Sequence, residues 1–254
     1  MAVSIWVKDL RFDYRTFSLH VRDLRFEAAK LTSIVGPNGA GKTTLLKCLS
    51  AILPIARDSL FLDRRDIALL PAEERARLIA YVPQEHSSAF NYAVQDFVLM
   101  GRAAYISLFS TPSADDVEIA LEALEYVGLR RFASRPCFEL SSGERRLVLI
   151  ARALAQKSDI LVLDEPTSFL DPKHETELMD LARRLAVEKK KTVLVTLHNL
   201  DMAVRYSDVM IFMKKGGVVA NGTPDDILTE PLLEAVYEIK MTILRHEGRK
   251  FIVK

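Results

Sequence analysis

Net charge is nearly absent from this chain: 35 Lys and Arg stand against 34 Asp and Glu, a formal +1 over 254 residues. That balance supplies no basic field for nucleic acid and no acidic tail for a charge-driven partner. Cysteine is scarce as well. The two copies, Cys48 and Cys137, have no metal-ligand spacing and lie in an apolar helix pattern and an irregular stretch, which fits a reducing, cytosolic compartment. Long hydrophobic runs are missing. ILVLD, TVLVTL and VMIFM are each too short to span a bilayer, which takes about 20 residues as a helix. The opening MAVSIWVKDLRFDYR carries early charges and lacks the apolar stretch of a signal peptide, so neither export nor self-insertion into a membrane is expected.

What is present is a core. Hydrophobic residues make up 49% of the chain and charged residues 27%, the balance of a folded α/β protein. Val3, Ile5 and Val7, then Phe17, Leu19 and Val21, alternate with mostly polar neighbours, the period of half-buried strands in a small antiparallel sheet. LTSIV, LIAYV, ILVLD, TVLVTL and VMIFM follow as short continuous apolar runs, mostly separated by helical periodicity, as in a parallel sheet buried on both faces. Between Pro83 and Asp159 the pattern reads as helices only. One starts at a capping box, Ser113 to Asp116, with Val117, Ala120, Leu121, Leu124 and Val127 as its apolar stripe. Near the carboxyl end, Thr223 and Pro224 open a helix and KMTILRHEGRKFIVK reads as a hairpin. The chain is read as a single α/β domain over 1–254: a core with its β subdomain at 1–83 and 160–254, and a helical subdomain inserted at 84–159.

GPNGAGKTT places Gly36, Pro37, Asn38, Gly39, Ala40, Gly41, Lys42, Thr43 and Thr44 between the strand LTSIV and an apolar helix. The glycines let backbone amides turn toward phosphate oxygens, Lys42 reaches the β and γ phosphates, and the Thr43 hydroxyl suits Mg²⁺. ILVLDEP sets Asp164 and Glu165 at a strand end with no cation beside them in sequence, and buried carboxylates without partners are costly. Mg²⁺ held through Asp164 relieves that cost, and Glu165 can then deprotonate a water aimed at the γ phosphate. His198, after TVLVTL, and Gln84, in YVPQ, fall at the same end of the sheet, where open parallel sheets bind ligands. Gln84 suits either Mg²⁺ or the attacking water. In LSSGERR, Ser141 to Glu144 form a capping box whose amides make a second potential anion site.

The phosphate loop, YVPQ, LSSGERR, ILVLDEP, SFLD and TLHN stand in the order and spacing of ATP-binding cassette (ABC) ATPases, which this chain resembles over essentially its whole length. The resemblance implies a phosphate-loop NTPase core with a parallel sheet, the antiparallel β subdomain and the inserted helical subdomain. It also implies that two copies pack head to tail. Ser141, Ser142, Gly143 and Glu144 of one copy would then close over ATP held by the other, which gives the second anion site a purpose. By the same resemblance Asp171 lines the dimer seam, Gln84 senses the γ phosphate, His198 contacts it, and Tyr14 stacks on adenine, with Phe12 the alternative. Where the family usually has two glycines after the serine, this chain has Ser142 and then Gly143.

NYAVQDFVLMGR and GTPDDILTEPLLEAVYEIKMTIL resemble the ATPase subunits of importers for iron-siderophore, haem and cobalamin complexes, and related importers of oxyanions or metal ions share much of this pattern. The implied protein is an ATP- and Mg²⁺-dependent homodimer on the cytoplasmic face of a membrane. It would bind permease subunits and, through them, serve a substrate-binding protein, with no nucleic acid as partner. The rival from another class, an ABC-type ATPase acting on DNA or chromosomes, requires long coiled-coil arms between phosphate loop and signature, and no extended heptads occur there. A phosphate-loop kinase would have no use for LSSGERR. The aromatic-rich segment after Gln84 suggests a permease-docking surface, with Phe90, Tyr92 and Tyr105 expected to be exposed.

Overall fold

The computed structural model describes residues 3–84, 92–107, 109–246 and 249–253. Strand β1 (Ile5–Tyr14) and strand β2 (Phe17–Phe26) pair antiparallel from Ile5 opposite Phe26 to Tyr14 opposite Phe17. Their inward alternation changes phase once. Ile5 and Val7 are buried and then Leu10, while Val21 is followed by Leu24, because Lys8 and Asp23 drop out of the pairing and Asp23 takes a left-handed φ of 42°. Strand periodicity read from sequence therefore holds on each side of this irregularity and not across it. Strand β3 (Leu31–Val35) is buried throughout and leads into helix α1 (Lys42–Leu49). Strands β4 (Leu60–Leu62) and β5 (Arg65–Asp66) then extend the first sheet in the order β2-β1-β4-β5, so that sheet is completed by residues beyond the amino-terminal segment.

Helix α2 (Ala72–Leu78) precedes strand β6 (Ile79–Val82). Helix α3 (Val94–Leu99), helix α4 (Ala114–Tyr126) and helix α5 (Ser142–Ala155) pack against one another, and α5 also packs on β6. The capping box of α4 is in place: Ser113 Oγ accepts from the Asp116 amide at 3.2 Å, and Asp116 Oδ2 accepts from the Ser113 amide at 3.1 Å. Its buried face is Ala120, Ala123 and Leu124, with Leu121 and Val127 half-buried. Val117, expected on that stripe, is exposed, because α4 faces both α3 and α5 and the seam runs through its small alanines. Buried Arg102 ties the group together, with its Nε 2.9 Å from Asp116 Oδ1 and its Nη1 donating to Ala155 O at 2.9 Å. The stretch is not helices alone. Ala93 and Pro136 form an antiparallel bridge, too short to leave a period in the sequence.

Strand β7 (Ile160–Leu163), helix α6 (Pro172–Val187), strand β8 (Thr192–Thr196), helix α7 (Leu200–Tyr206) and strand β9 (Val209–Lys214) complete the parallel core. Strand β10 (Gly217–Gly222) turns back antiparallel on β9 as an edge that the apolar runs did not announce. The sheet order is β10-β9-β3-β8-β7-β6, with β9 through β6 parallel. Leu161 and Leu163 enter the cluster shared with the helices, whereas Ile160 and Val162 enter the cluster shared with α1 and the first sheet. Burial on both faces is why these strands read as unbroken apolar runs. Helix α8 (Pro224–Ile227) is capped by Thr223, helix α9 (Glu230–Tyr237) follows, and β11 (Thr242–His246) pairs with β12 (Arg249–Val253) as the expected hairpin. No helix among the described residues is long and apolar enough to cross a membrane.

Parallel strands β3, β8, β7 and β6 are neighbours, so their carboxyl ends open on one edge of the sheet. From those ends leave the loop at Gly36, the turn to His198, the Asp164–Glu165 pair and the segment at Gln84.

Candidate functional site

The chain leaves β3 through Gly36, where a Cβ would stand 2.2 Å from the carbonyl oxygen of Met213 on β9; only glycine lets the loop pass. It enters α1 at Gly41 with φ 99°, and no side chain caps that helix start. The helix thus directs its first amides and dipole along the loop without an internal carboxylate in competition. Lys42 is buried, and its Nζ donates to Gly36 O at 2.8 Å and Pro37 O at 3.2 Å. Burial pulls the ammonium pKa down, and the negative charges of Glu165 and Asp164 oppose that shift. A groove of about 330 Å³ runs along Asn38–Thr44 and is bordered by Tyr14, Phe17 and Glu165. Tyr14 is half-exposed at this groove. Phe12 packs edge-on behind it, with ring centroids 4.8 Å apart, and does not border the groove.

Asp164 is 1% exposed and surrounded by hydroxyls. Its Oδ1 accepts from Thr43 Oγ1 at 3.0 Å and Thr196 Oγ1 at 2.8 Å, and its Oδ2 accepts from Tyr81 Oη at 2.9 Å. Burial and then the adjacent Asp164 charge push the Tyr81 phenol far above its ordinary value, so it remains a donor. Glu165 follows in a left-handed conformation, φ 45°, with its amide donating to Thr196 Oγ1 at 2.7 Å. That reversal at the strand end holds its carboxylate at the groove. His198 Nε2 lies 2.6 Å from Glu165 Oε1, Ser168 Oγ donates to Oε2 at 3.2 Å, and Gln84 Nε2 donates to the same oxygen. Three side chains, from Gln84, Ser168 and His198, therefore converge on one carboxylate.

Several partners escaped the sequence reading. Thr196 and Tyr81 carried the clearest signal, as polar residues within apolar strand runs. Arg146 is buried and donates to Pro83 O at 2.9 Å and Gln84 O at 2.6 Å, so α5 anchors the segment that carries Gln84. Tyr237, from α9, lies beside the Gly36 backbone and brings the carboxyl-terminal helix to the start of the loop. Phe17 borders the groove opposite Tyr14, although the strand period placed it only as a strand residue.

Ser141 caps α5 in a complete box, with Glu144 Oε2 accepting from the Ser141 amide at 2.8 Å and Ser141 Oγ accepting from the Glu144 amide at 3.2 Å. Gly143 is buried, while Ser142 is exposed and borders a cleft with Gln84 and Ser168. None of Ser141 to Glu144 borders the phosphate-loop groove of the same chain. Asp171 is also outside that groove. It caps α6 by accepting from the Lys173 and His174 amides at 3.0 and 3.1 Å, and the His174 side chain holds its carboxyl below the usual range. The structure thus gathers Gly36–Thr44, Asp164, Glu165, His198, Gln84 and Tyr14, and leaves the signature turn and Asp171 apart.

A family model described as ABC transporter matches residues 19–168. The iron(3+)-hydroxamate import ATP-binding protein FhuC of Bacillus subtilis is 37% identical over 215 residues, covering 85% of this chain and 80% of its own length. The hemin import ATP-binding protein HmuV of Rhodococcus jostii is 40% identical over 214 residues, covering 84% and 72%. Among solved structures, an inward-facing ABC transporter of metal-chelate type superposes with a TM-score of 0.85 at 31% identity, over 99% of this chain and 96% of that one. The nucleotide groove, its convergent carboxylates and these matches agree: the chain belongs to the ABC transporter family, as an ATPase cassette of phosphate-loop NTPase fold.

Proposed function

We propose that this chain is the ATP-hydrolysing subunit of an importer, homodimerising on the cytoplasmic face of a membrane to power uptake of a metal chelate of the iron-siderophore, haem or cobalamin type. The observation that carries the reading is the position of Glu165, beside the phosphate-loop groove and gripped by Gln84, Ser168 and His198. In this mechanism Tyr14 stacks on adenine, the amides of Gly36–Thr44 surround the phosphates, and Lys42 shifts from the loop carbonyls to the β and γ phosphates. Thr43, Asp164 and Gln84 offer hydroxyl, carboxylate and amide oxygens, a hard donor set that fits Mg²⁺. Bound Mg²⁺ neutralises charge on the phosphate oxygens. Glu165 takes the proton of the attacking water, and His198, already bonded to it, contacts the γ phosphate.

In the head-to-tail dimer of this reading, the signature turn of a second copy closes over the groove of the first. Ser141 Oγ and the amides of Ser142, Gly143 and Glu144 would meet the γ phosphate there, with the α5 dipole behind them. Asp171 lines the seam. Phe169, two residues before it in SFLD, is 84% exposed, as expected for a residue that a partner covers. Purified protein should therefore release phosphate from MgATP at a rate rising more steeply than linearly with protein concentration. Hydrolysis strictly proportional to concentration across the micromolar range would count against shared sites. The DNA-acting alternative finds no support in the fold, since the longest described helix between α1 and α5 has 13 residues.

Tyr92 and Tyr105 are both exposed, as expected of a docking segment. Tyr105 is engaged within the chain: its ring stacks under Arg102 and Arg77, at 3.9 and 4.9 Å, and its hydroxyl donates to Gln156 O at 3.1 Å. Phe90 lies outside the described residues. Tyr92 is 52% exposed and remains the candidate anchor for a permease segment. Tyr92→Ala should keep basal ATPase activity but weaken co-purification with the permease by roughly thirty-fold or more in affinity, the alanine-scan scale of about 2 kcal/mol for an interface anchor. Normal assembly and transport by that variant would place the docking surface elsewhere.

A further inference from the structure

Two elements of the proposed half-site, the signature turn and Asp171, come from different helices and meet at one side chain that neither motif includes. A Cβ added to Gly143 would stand 3.2 Å from Cδ2 of His174 and 3.4 Å from its Cγ, so the imidazole occupies the space that a side chain would need. On its other edge, His174 Nδ1 is 2.5 Å from Asp171 Oδ2, while the His174 amide donates to Asp171 Oδ1 at 3.1 Å. Gly143 is the second residue of α5 and its backbone is not left-handed, so alanine would suit the helix itself. The ring would have to yield by a few tenths of an ångström to admit a side chain there. Ser142, one residue earlier, is exposed, which fits a side chain at that position.

We propose that His174 is a positioning residue whose imidazole fixes the start of α5 against Asp171, so that both partner-facing elements meet a second copy as one unit. The proposal rests on the head-to-tail dimer reading. His174 does not border the nucleotide groove, so it acts only through Gly143 and Asp171. Loss of the ring removes the side chain packed against Gly143 and the side-chain bond of Asp171 together. A shift of about 1 Å in a positioned group costs on the order of a hundred-fold in rate, so a small slackening at this contact is enough to matter.

The test uses the full chain carrying Glu165→Gln, in which MgATP-driven dimerisation is followed by light scattering. Adding His174→Ala should raise the MgATP concentration for half-maximal dimerisation by roughly ten-fold. Fluorescent-nucleotide affinity, measured at dilute protein where the chain is monomeric, should stay unchanged. His174→Gln keeps a donor for Asp171 and a planar face over Gly143, and should recover most of the loss. In an otherwise unaltered chain, Gly143→Ala should cost about ten-fold in kcat with His174 present and no more than about three-fold with His174→Ala, a coupling expected only of side chains in contact. Dimerisation of the His174→Ala protein at the parent's MgATP concentration, or an equal cost of Gly143→Ala in both backgrounds, overturns the proposal while leaving the dimer intact. A Glu165→Gln parent that never dimerises with MgATP overturns the dimer reading and the proposal with it.

Discussion

Glu165→Gln is expected to bind MgATP normally and to lose turnover by roughly a thousand-fold, within the 10² to 10⁴ that a positioned general base supplies. Glu165 is 8% exposed and its side chain is already held by Gln84, Ser168 and His198, so an amide of the same shape keeps its place. A carboxamide oxygen can still accept from His198, and the Gln84 amide can rotate to present its oxygen to the new NH₂. What disappears is the capacity to take a proton from water. Single-turnover phosphate release separates that loss from slow product release. A variant that hydrolyses ATP within a few-fold of the parent would remove Glu165 from the role of base.

Lys42→Ala should fail earlier in the cycle. Its Nζ sits in a buried position with the charges of Glu165 and Asp164 opposite. Without the ammonium, the Gly36 and Pro37 carbonyls lose their donor and two carboxylates face the incoming phosphates with no compensating charge. Charge-assisted hydrogen bonds contribute about 1.5–3 kcal/mol each, so nucleotide affinity is expected to fall by roughly a hundred-fold. Fluorescent-nucleotide titration distinguishes this variant from Glu165→Gln, which loses chemistry and retains binding. Lys42→Arg serves as the control for folding: it keeps the charge but its planar fork does not match a site built for a compact ammonium. Unchanged affinity in Lys42→Ala would show that the loop amides alone retain the phosphates.

These two residues were legible without coordinates, for different reasons. Lys42 stands in a contiguous pattern whose spacing itself sets the phosphate geometry, so a linear reading suffices. Glu165 depends on a strand end, and its neighbour Asp164 was expected to need a cation. Three hydroxyls, from Thr43, Thr196 and Tyr81, already meet that need in part. Two of these come from neighbouring strands of the sheet, and no local spacing reveals strand adjacency. The same limit hid Arg146 beneath Gln84 and Tyr237 beside Gly36. Tyr105 is exposed as expected, at 39%, but its ring is also held within the chain by cations from two places in the sequence, Arg77 and Arg102, the first of which no local spacing reveals.

By itself the sequence determined the elements whose physics is local: the phosphate loop, the capping boxes at Ser113 and Ser141, the Thr223 and Pro224 helix start, and strands buried on both faces. Each follows from backbone groups seeking partners within a few residues or from apolar side chains repeating at a fixed period. Tertiary structure alone decided which strand ends lie side by side, that Glu165 is gripped by Gln84, Ser168 and His198, and that His174 fills the space beside Gly143. Those outcomes depend on close packing between residues distant in the chain, where the shape of one side chain sets what its neighbour can be.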